Sequence, residues 1–224
     1  MAEETIKGVV IEFDFAVLNG AELLYNITEK VLMDNDIAFN SRVEAQYLTG
    51  NNYQSALTNY FSDIKTKKTA QKAAKDISEA FASALTSLVP NVVSASFIAF
   101  IKALSSKGVK VVIATRSNIE LVKSAFDSVL DENVSLFHET SRIYGSAKSD
   151  AWRKACASND LSSNMSVAIA GSGYSVKGAL LAGLGVLAVV NDRVAYQDFG
   201  GANDVVKTIN SKLADKVLSV LKVS

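Results

Sequence analysis

The chain has 224 residues, of which 49% are hydrophobic, and its 23 basic residues balance 23 acidic ones. This length and apolar content fit one α/β domain, or a core domain with a small insertion. The balanced charge gives no overall field that would favour nucleic acid or an anionic membrane as a partner. No apolar run approaches the ~20 residues of a membrane-spanning helix, and no signal-peptide segment follows the polar start, MAEETIKG. We therefore expect a cytoplasmic protein.

The first predicted element lies in the stretch KGVVIEFDFAVLNG, which begins at Lys7. Its β-branched and aromatic residues, up to Phe15, predict a strand buried on both faces at the centre of a parallel sheet. Glu12 and Asp14 come at the carboxyl end, two residues apart, and are expected on one side of the pleat. Ligands of open α/β sheets bind at this edge. The pair therefore predicts a functional site, with capped strand-end acids as the structural alternative.

A block of helical periodicity follows, with no strand of its own. Its predicted helices are Glu22–Asp36, Ser41–Leu48, Tyr53–Ile64 and Lys65–Leu88. We predict that residues 19–88 form an inserted helical cap domain, and that residues 1–18 and 89–224 form the core domain. The basic run KTKKTAQKAAK, at residues 65–75, could attract an anionic ligand, although a solvated helix face is the simpler interpretation.

Strands and helices alternate after Pro90, which marks the return to the core domain. This alternation predicts an α/β fold, a Rossmann-like parallel sheet with helices on both faces. The strands from Lys7, at residues 109–115 and at residues 166–171 are expected to be neighbours. The remaining predicted elements are strands at 134–137 and 185–191 and helices Val92–Ser106, Asn118–Leu130, Lys148–Asn159 and Asn203–Val223.

The single cysteine and the single histidine give no reactive motif. Cys156 excludes an internal disulfide, fits a reducing compartment and lies in a helical pattern, so we expect a small core residue. His138 has no second histidine with which to share a metal, and we expect a structural role.

The candidate residues come in a fixed order along the chain: the acid pair, Thr115, Lys148 and Gly171. This order resembles the haloacid dehalogenase superfamily of phosphatases, phosphomutases and dehalogenases. The subgroup with a small helical cap, which includes phosphoglycolate phosphatase and β-phosphoglucomutase, is the most similar. The resemblance spans nearly the whole chain, and further pieces of it are LTG (48–50), VPNVVSASFIAFIKALSSKGVKVVIATRSN (89–118) and AIAGSGYSVKGALLAGLGVLAVV (168–190).

The resemblance implies phosphoryl transfer through an aspartyl-phosphate, with a task for each motif. The DxDGT motif of the family supplies a nucleophile and an acid/base, whose positions fall on Glu12 and Asp14. Thr115 and Arg116 are implied to bind the phosphate. Lys148 is implied to offset negative charge, and we expect it to pair with the two acids.

Three departures from the family pattern bear on activity. Glu12 replaces the aspartate, and a misplaced attacking oxygen can cost on the order of 10²-fold in rate. Gly171 and Ser175 stand where the family has acids that help to hold Mg²⁺, so only Glu12 and Asp14 remain as weak metal ligands. Asp192 is a further candidate, although a surface turn is its simpler interpretation. Without the metal, a carboxylate and a phosphate dianion repel each other.

These departures favour a pseudoenzyme that acts as a binding or scaffold protein. The alternatives are a Mg²⁺-dependent phosphatase for a small phosphorylated metabolite and a non-hydrolytic sensor that binds a phosphate ester through Thr115 and Lys148. The expected partner is accordingly a small phosphorylated metabolite or another protein. The glycine-rich GSGYSVKG is interpreted as the family's strand–helix turn rather than a nucleotide site. Restoring activity is expected to require Glu12→Asp, Gly171→Asp and Ser175→Asp together.

Overall fold

Parallel strands form one sheet in the computed structural model, which describes residues 6–138 and 149–223. The strands are β1 (Gly8–Glu12), β2 (Lys110–Thr115), β3 (Val134–His138), β4 (Ser166–Ala170), β5 (Gly185–Val189) and β6 (Asp204–Val206). Their order across the sheet is β3-β2-β1-β4-β5-β6.

The central strand is β1, which pairs with β2 on one side and with β4 on the other. Glu12 lies opposite Ala114 of β2, and Ile11 lies opposite Ile169 of β4. The prediction that these three strands are neighbours is confirmed. Because all three are parallel, their carboxyl ends meet at one edge of the sheet, which is where ligands bind in open α/β folds.

Helices cover both faces of the sheet, as the alternating pattern predicts. Those between β1 and β2 are α1 (Gly20–Met33), α2 (Ser41–Val43), α3 (Tyr53–Asp63), α4 (Ala70–Val92) and α5 (Ala95–Ser105), with π-helical turns at Phe13–Val17 and Glu44–Leu48. Those after β2 are α6 (Ile119–Phe126), α7 (Ser149–Ala157), α8 (Gly173–Leu181) and α9 (Ser211–Leu221). Within the described ranges, no helix is both long enough and apolar enough to cross a membrane.

Alternate residues of β1 enter two separate parts of the core, as expected of a strand that is buried on both faces. Val9 and Ile11 belong to the larger cluster, and Val10 belongs to the smaller one. Cys156 and Trp152 of α7 are buried in this smaller cluster. The prediction that Cys156 is a core residue is confirmed.

The first strand is shorter than its apolar run predicts. It ends at Glu12, and Phe13–Val17 forms a single π-helical turn. The ring of Phe13 remains buried because the turn places it against Phe97 and Phe126. The expectation that Glu12 and Asp14 share one side of a pleat is therefore wrong, since Asp14 lies in the turn and not in the strand.

Other predicted boundaries also differ from the structure. The helix expected from Lys65 begins at Ala70, because Lys65 has a left-handed backbone conformation at the end of α3. The backbone of α4 stays helical through Pro90, since its buried stripe continues to Val89. At the carboxyl terminus, the predicted helix Asn203–Val223 contains β6, whose three residues are too few to show alternation. The division into core and cap domains stays a prediction.

Candidate active site at the carboxyl end of β1

Asp14 is the most enclosed acid of the site, with a side chain that is only 3% exposed. Its Oδ1 accepts hydrogen bonds from the hydroxyls of Thr115 (2.7 Å) and Ser117 (2.9 Å). Its Oδ2 accepts one from the backbone N–H of Arg116, at 2.6 Å. These bonds satisfy the buried carboxylate and fasten the turn after β1 to the end of β2.

The partners of Asp14 lie in a turn that the local sequence Thr-Arg-Ser-Asn stabilises. The hydroxyl of Thr115 accepts a hydrogen bond from the backbone N–H of Ser117, at 3.0 Å. The side chain of Asn118 then caps α6 by accepting from the N–H of Glu120, at 3.0 Å. Sequence reasoning missed Ser117 as a partner of Asp14, although this run of short polar residues is typical of such turns.

Glu12 is partly buried and accepts hydrogen bonds from Gly171 and Ser175, which stand where the family pattern has acids. Its Oε2 accepts a hydrogen bond from the backbone N–H of Gly171, at 2.9 Å. Its Oε1 accepts one from the hydroxyl of Ser175, at 2.5 Å. The carboxylate thus joins the end of β1 to the loop and helix that follow β4.

Neighbouring backbone atoms leave no space for a side chain at Gly171. A Cβ atom at this position would lie 2.4 Å from the carbonyl carbon of Phe15 and 2.5 Å from the backbone nitrogen of Ala16. Backbone atoms cannot give way as a flexible side chain can. The expected repair Gly171→Asp is therefore opposed by the π-helical turn itself.

Burial raises the pKa of Glu12 above that of an ordinary glutamate. The hydrogen bonds from Ser175 and Gly171 and the positive charge of Arg116 oppose the rise, whereas the charge of Asp14 adds to it. Burial outweighs these hydrogen bonds because it removes water from the ionised form.

Glu12 lines two small cavities, and Arg116 and Ser175 line both of them as well. The first, of about 70 Å³, lies between the helices after β1 and the loop after β4. The second, of about 50 Å³, is lined by Trp152 of α7 and by Phe137. Both are small beside the ~300–1,000 Å³ of typical ligand pockets. Neither cavity therefore has room for a sugar phosphate in this arrangement of the helices and loops.

The residues that the structure describes at this edge of the sheet do not fit a Mg²⁺ site. Among the described residues, no group of three acid, histidine or cysteine side chains could hold a metal ion. Every carboxylate oxygen of Glu12 and Asp14 already accepts a hydrogen bond, whereas Mg²⁺ requires near-octahedral oxygen ligands. Asp192 is exposed and lines neither cavity.

Lys148 and His138 are two further residues that the sequence analysis named. Lys148 is outside the described residues, so its expected pairing with Glu12 and Asp14 stays a prediction. His138 is the exposed last residue of β3.

Solved structures with the same architecture support a fold assignment. β-Phosphoglucomutase from Clostridium difficile superposes with a TM-score of 0.71 at 11% identity, and the match covers 97% of this chain and 98% of that one. CbbY from Rhodobacter sphaeroides, as a mutant in complex with xylulose-1,5-bisphosphate, gives 0.68 at 16% identity over 93% and 96%. The chain has the haloacid dehalogenase fold.

A third example of this fold is a haloacid dehalogenase family hydrolase from Deinococcus radiodurans R1, with bound phosphate and sodium. Its TM-score is 0.60 at 15% identity, and the match covers 97% of each chain. No protein-family model and no curated protein sequence matches the chain. At these low identities the similarity establishes the haloacid dehalogenase fold and leaves the activity to be argued from the site.

Proposed function

We propose that this chain is a haloacid dehalogenase-fold pseudoenzyme that binds a ligand without hydrolysing it. The observation that carries the proposal is the double tether of Glu12 to Gly171 and Ser175. A carboxylate nucleophile needs an ionised oxygen aimed at phosphorus. Both oxygens of Glu12 are engaged by the protein instead, and burial raises its pKa, which disfavours the ionised form.

Asp14 is equally unsuited to the task of an acid/base. A proton donor or acceptor must come within hydrogen-bond reach of the leaving group. Asp14 is almost fully buried and faces three donors at the end of β2. In this arrangement it stabilises the fold of the site.

Charge supports the same conclusion. Bringing a phosphate dianion to two carboxylates requires a compensating cation, and the donor set does not fit Mg²⁺. Arg116 lines both cavities and is the cation that the described residues place there. One guanidinium can bind an anion, but it does not align a nucleophile.

The first cavity has the chemistry of an anion site once it opens. Arg116 and Ser172 line it, and α8 begins beside it at Gly173. A guanidinium, a hydroxyl and the positive end of a helix dipole suit a phosphate group. We therefore infer a small phosphorylated metabolite as the ligand class, and a protein partner as the alternative.

Hydrolysis of p-nitrophenyl phosphate, with and without Mg²⁺, tests the proposal. The parent chain should show no turnover above background and should match Glu12→Gln. Binding of inorganic phosphate, measured by calorimetry, should weaken by about tenfold or more in Arg116→Ala and stay unchanged in Arg153→Ala, the control. Mg²⁺-dependent turnover that Glu12→Gln abolishes would support the phosphatase alternative instead.

A further inference from the structure

The loop after β5 contacts the helices that lie over the first cavity. From this loop, Arg193 reaches the segment between α1 and α3. Its Nη2 atom lies 3.5 Å from Oε2 of Glu44 and donates a hydrogen bond to the hydroxyl of Ser41, at 2.8 Å. Its guanidinium carbon lies 3.9 Å from the ring centre of Tyr25, which is a cation–π contact.

Polar contacts flank Arg193 on both sides along the same loop. The hydroxyl of Tyr196 lies 2.8 Å from that of Thr49, at the start of the turn before α3. The side-chain amide of Asn191 donates a hydrogen bond to that of Asn19, which precedes α1. The loop therefore contacts the helical segment at three separate points.

The ion pair between Arg193 and Glu44 is well enclosed. The two side chains are only 16% and 13% exposed. Within the described part of the chain, Nε of Arg193 and Oε2 of Glu44 are buried without a hydrogen-bond partner. Opening the interface would let water reach both atoms, so the intact ion pair adds little net stability. Removing either partner, however, leaves the other charge buried without compensation, which favours opening.

We propose that residues 191–197 form a latch, with Arg193 as its main contact, that holds α1, the turn at Glu44–Leu48 and α3 closed over the first cavity. These elements supply one wall of the cavity, and the core supplies the other, which includes Glu12. Ligand entry then requires release of the latch. The proposal rests on the contacts of the loop and does not depend on whether the site hydrolyses anything.

Distances between spin labels on the two sides of the latch test the proposal. Labels are attached at Gln54→Cys on α3 and Lys212→Cys on α9, in a Cys156→Ala background, and measured by double electron–electron resonance. The parent should give one narrow distance distribution. Arg193→Ala should add longer distances and raise the open-to-closed ratio about five- to thirty-fold, the effect of losing one ion pair and one cation–π contact.

Two further variants complete the experiment. Arg153→Ala removes an arginine from an exposed ion pair on α7 and should leave the distribution unchanged. Glu44→Gln keeps the shape of the side chain and removes its charge, so it should also add longer distances. If Arg193→Ala does not fold, the result for Glu44→Gln decides the test. A folded Arg193→Ala or Glu44→Gln protein with the distribution of the parent would overturn the proposal.

Discussion

The hydroxyl of Ser175 donates a 2.5 Å hydrogen bond to Oε1 of Glu12, across 163 residues of sequence. In the family that this chain resembles, the first position attacks phosphorus and the second helps to hold a metal. Here the longer side chain of Glu12 reaches the second position directly. A hydrogen bond within the protein thus joins these two positions, and its consequences can be measured at each residue.

Glu12→Gln should change how stability depends on pH. Burial raises the pKa of Glu12 in the folded state, so its contribution to stability is fully present below the ordinary pKa of 4.5 and is lost as the pH rises through the raised value. The free energy of unfolding of Glu12→Gln, relative to the parent, should therefore increase from acidic to neutral pH. Urea unfolding across this range measures it.

Glu132→Gln is the control for that series, because Glu132 is exposed. Its difference from the parent should stay within ~0.5 kcal/mol at every pH. If the difference in unfolding free energy between Glu12→Gln and the parent were equally independent of pH, burial would not govern the ionisation of Glu12.

Gly171→Ala should destabilise the protein by about 3 kcal/mol, because the added methyl meets the backbone of Phe15 and Ala16. Gly108→Ala provides the matched control. Gly108 has φ +71° but no heavy atom within 4 Å of the added methyl, so only the backbone conformation is penalised, by about 1 kcal/mol. Equal losses in chemical denaturation would show that the turn after β1 yields easily to a side chain.

Asp14→Ala should cost about 3 kcal/mol or more in the free energy of unfolding. It leaves three buried donors without their acceptor. Asp14→Asn should cost less, because the hydroxyls of Thr115 and Ser117 can rotate to accept from the new amide. Asp127→Ala, an exposed aspartate at the end of α6, should change stability by no more than ~0.5 kcal/mol. If Asp14→Ala were as mild as this control, the network would have no structural role.

The sheet could be predicted from sequence because buried strands leave continuous apolar runs. The runs predicted β1, β2 and β4 as strands. The alternation of strands and helices after Pro90 predicted that they are neighbours, and with this the closeness of Thr115 and Asp14. The turn at Phe13–Val17 could not be predicted, since a strand and a π-helical turn with buried aromatic residues have the same local composition. β6 left no signal because it has three residues.

The finer details of the site depend on contacts between distant parts of the chain. Gly171 could be recognised as a departure from the family pattern, but the backbone that fills its Cβ position could not. Arg193 lies in a loop, and its ion-pair partner Glu44 lies far away in the sequence. No periodic pattern in the sequence therefore predicts that the two side chains pair. Such pairs become visible only when the fold brings them together.

Phosphorylation of Glu12 is the most direct measure of whether this chain carries out the phosphoryl transfer of the family that it resembles. The parent is mixed with acetyl phosphate and Mg²⁺, quenched in acid at short times and analysed by intact and peptide mass spectrometry. Because both oxygens of Glu12 are engaged by Gly171 and Ser175, we predict no phosphoryl adduct on the peptide that contains Glu12, as in Glu12→Gln. An adduct on that peptide, absent from Glu12→Gln, would contradict the account.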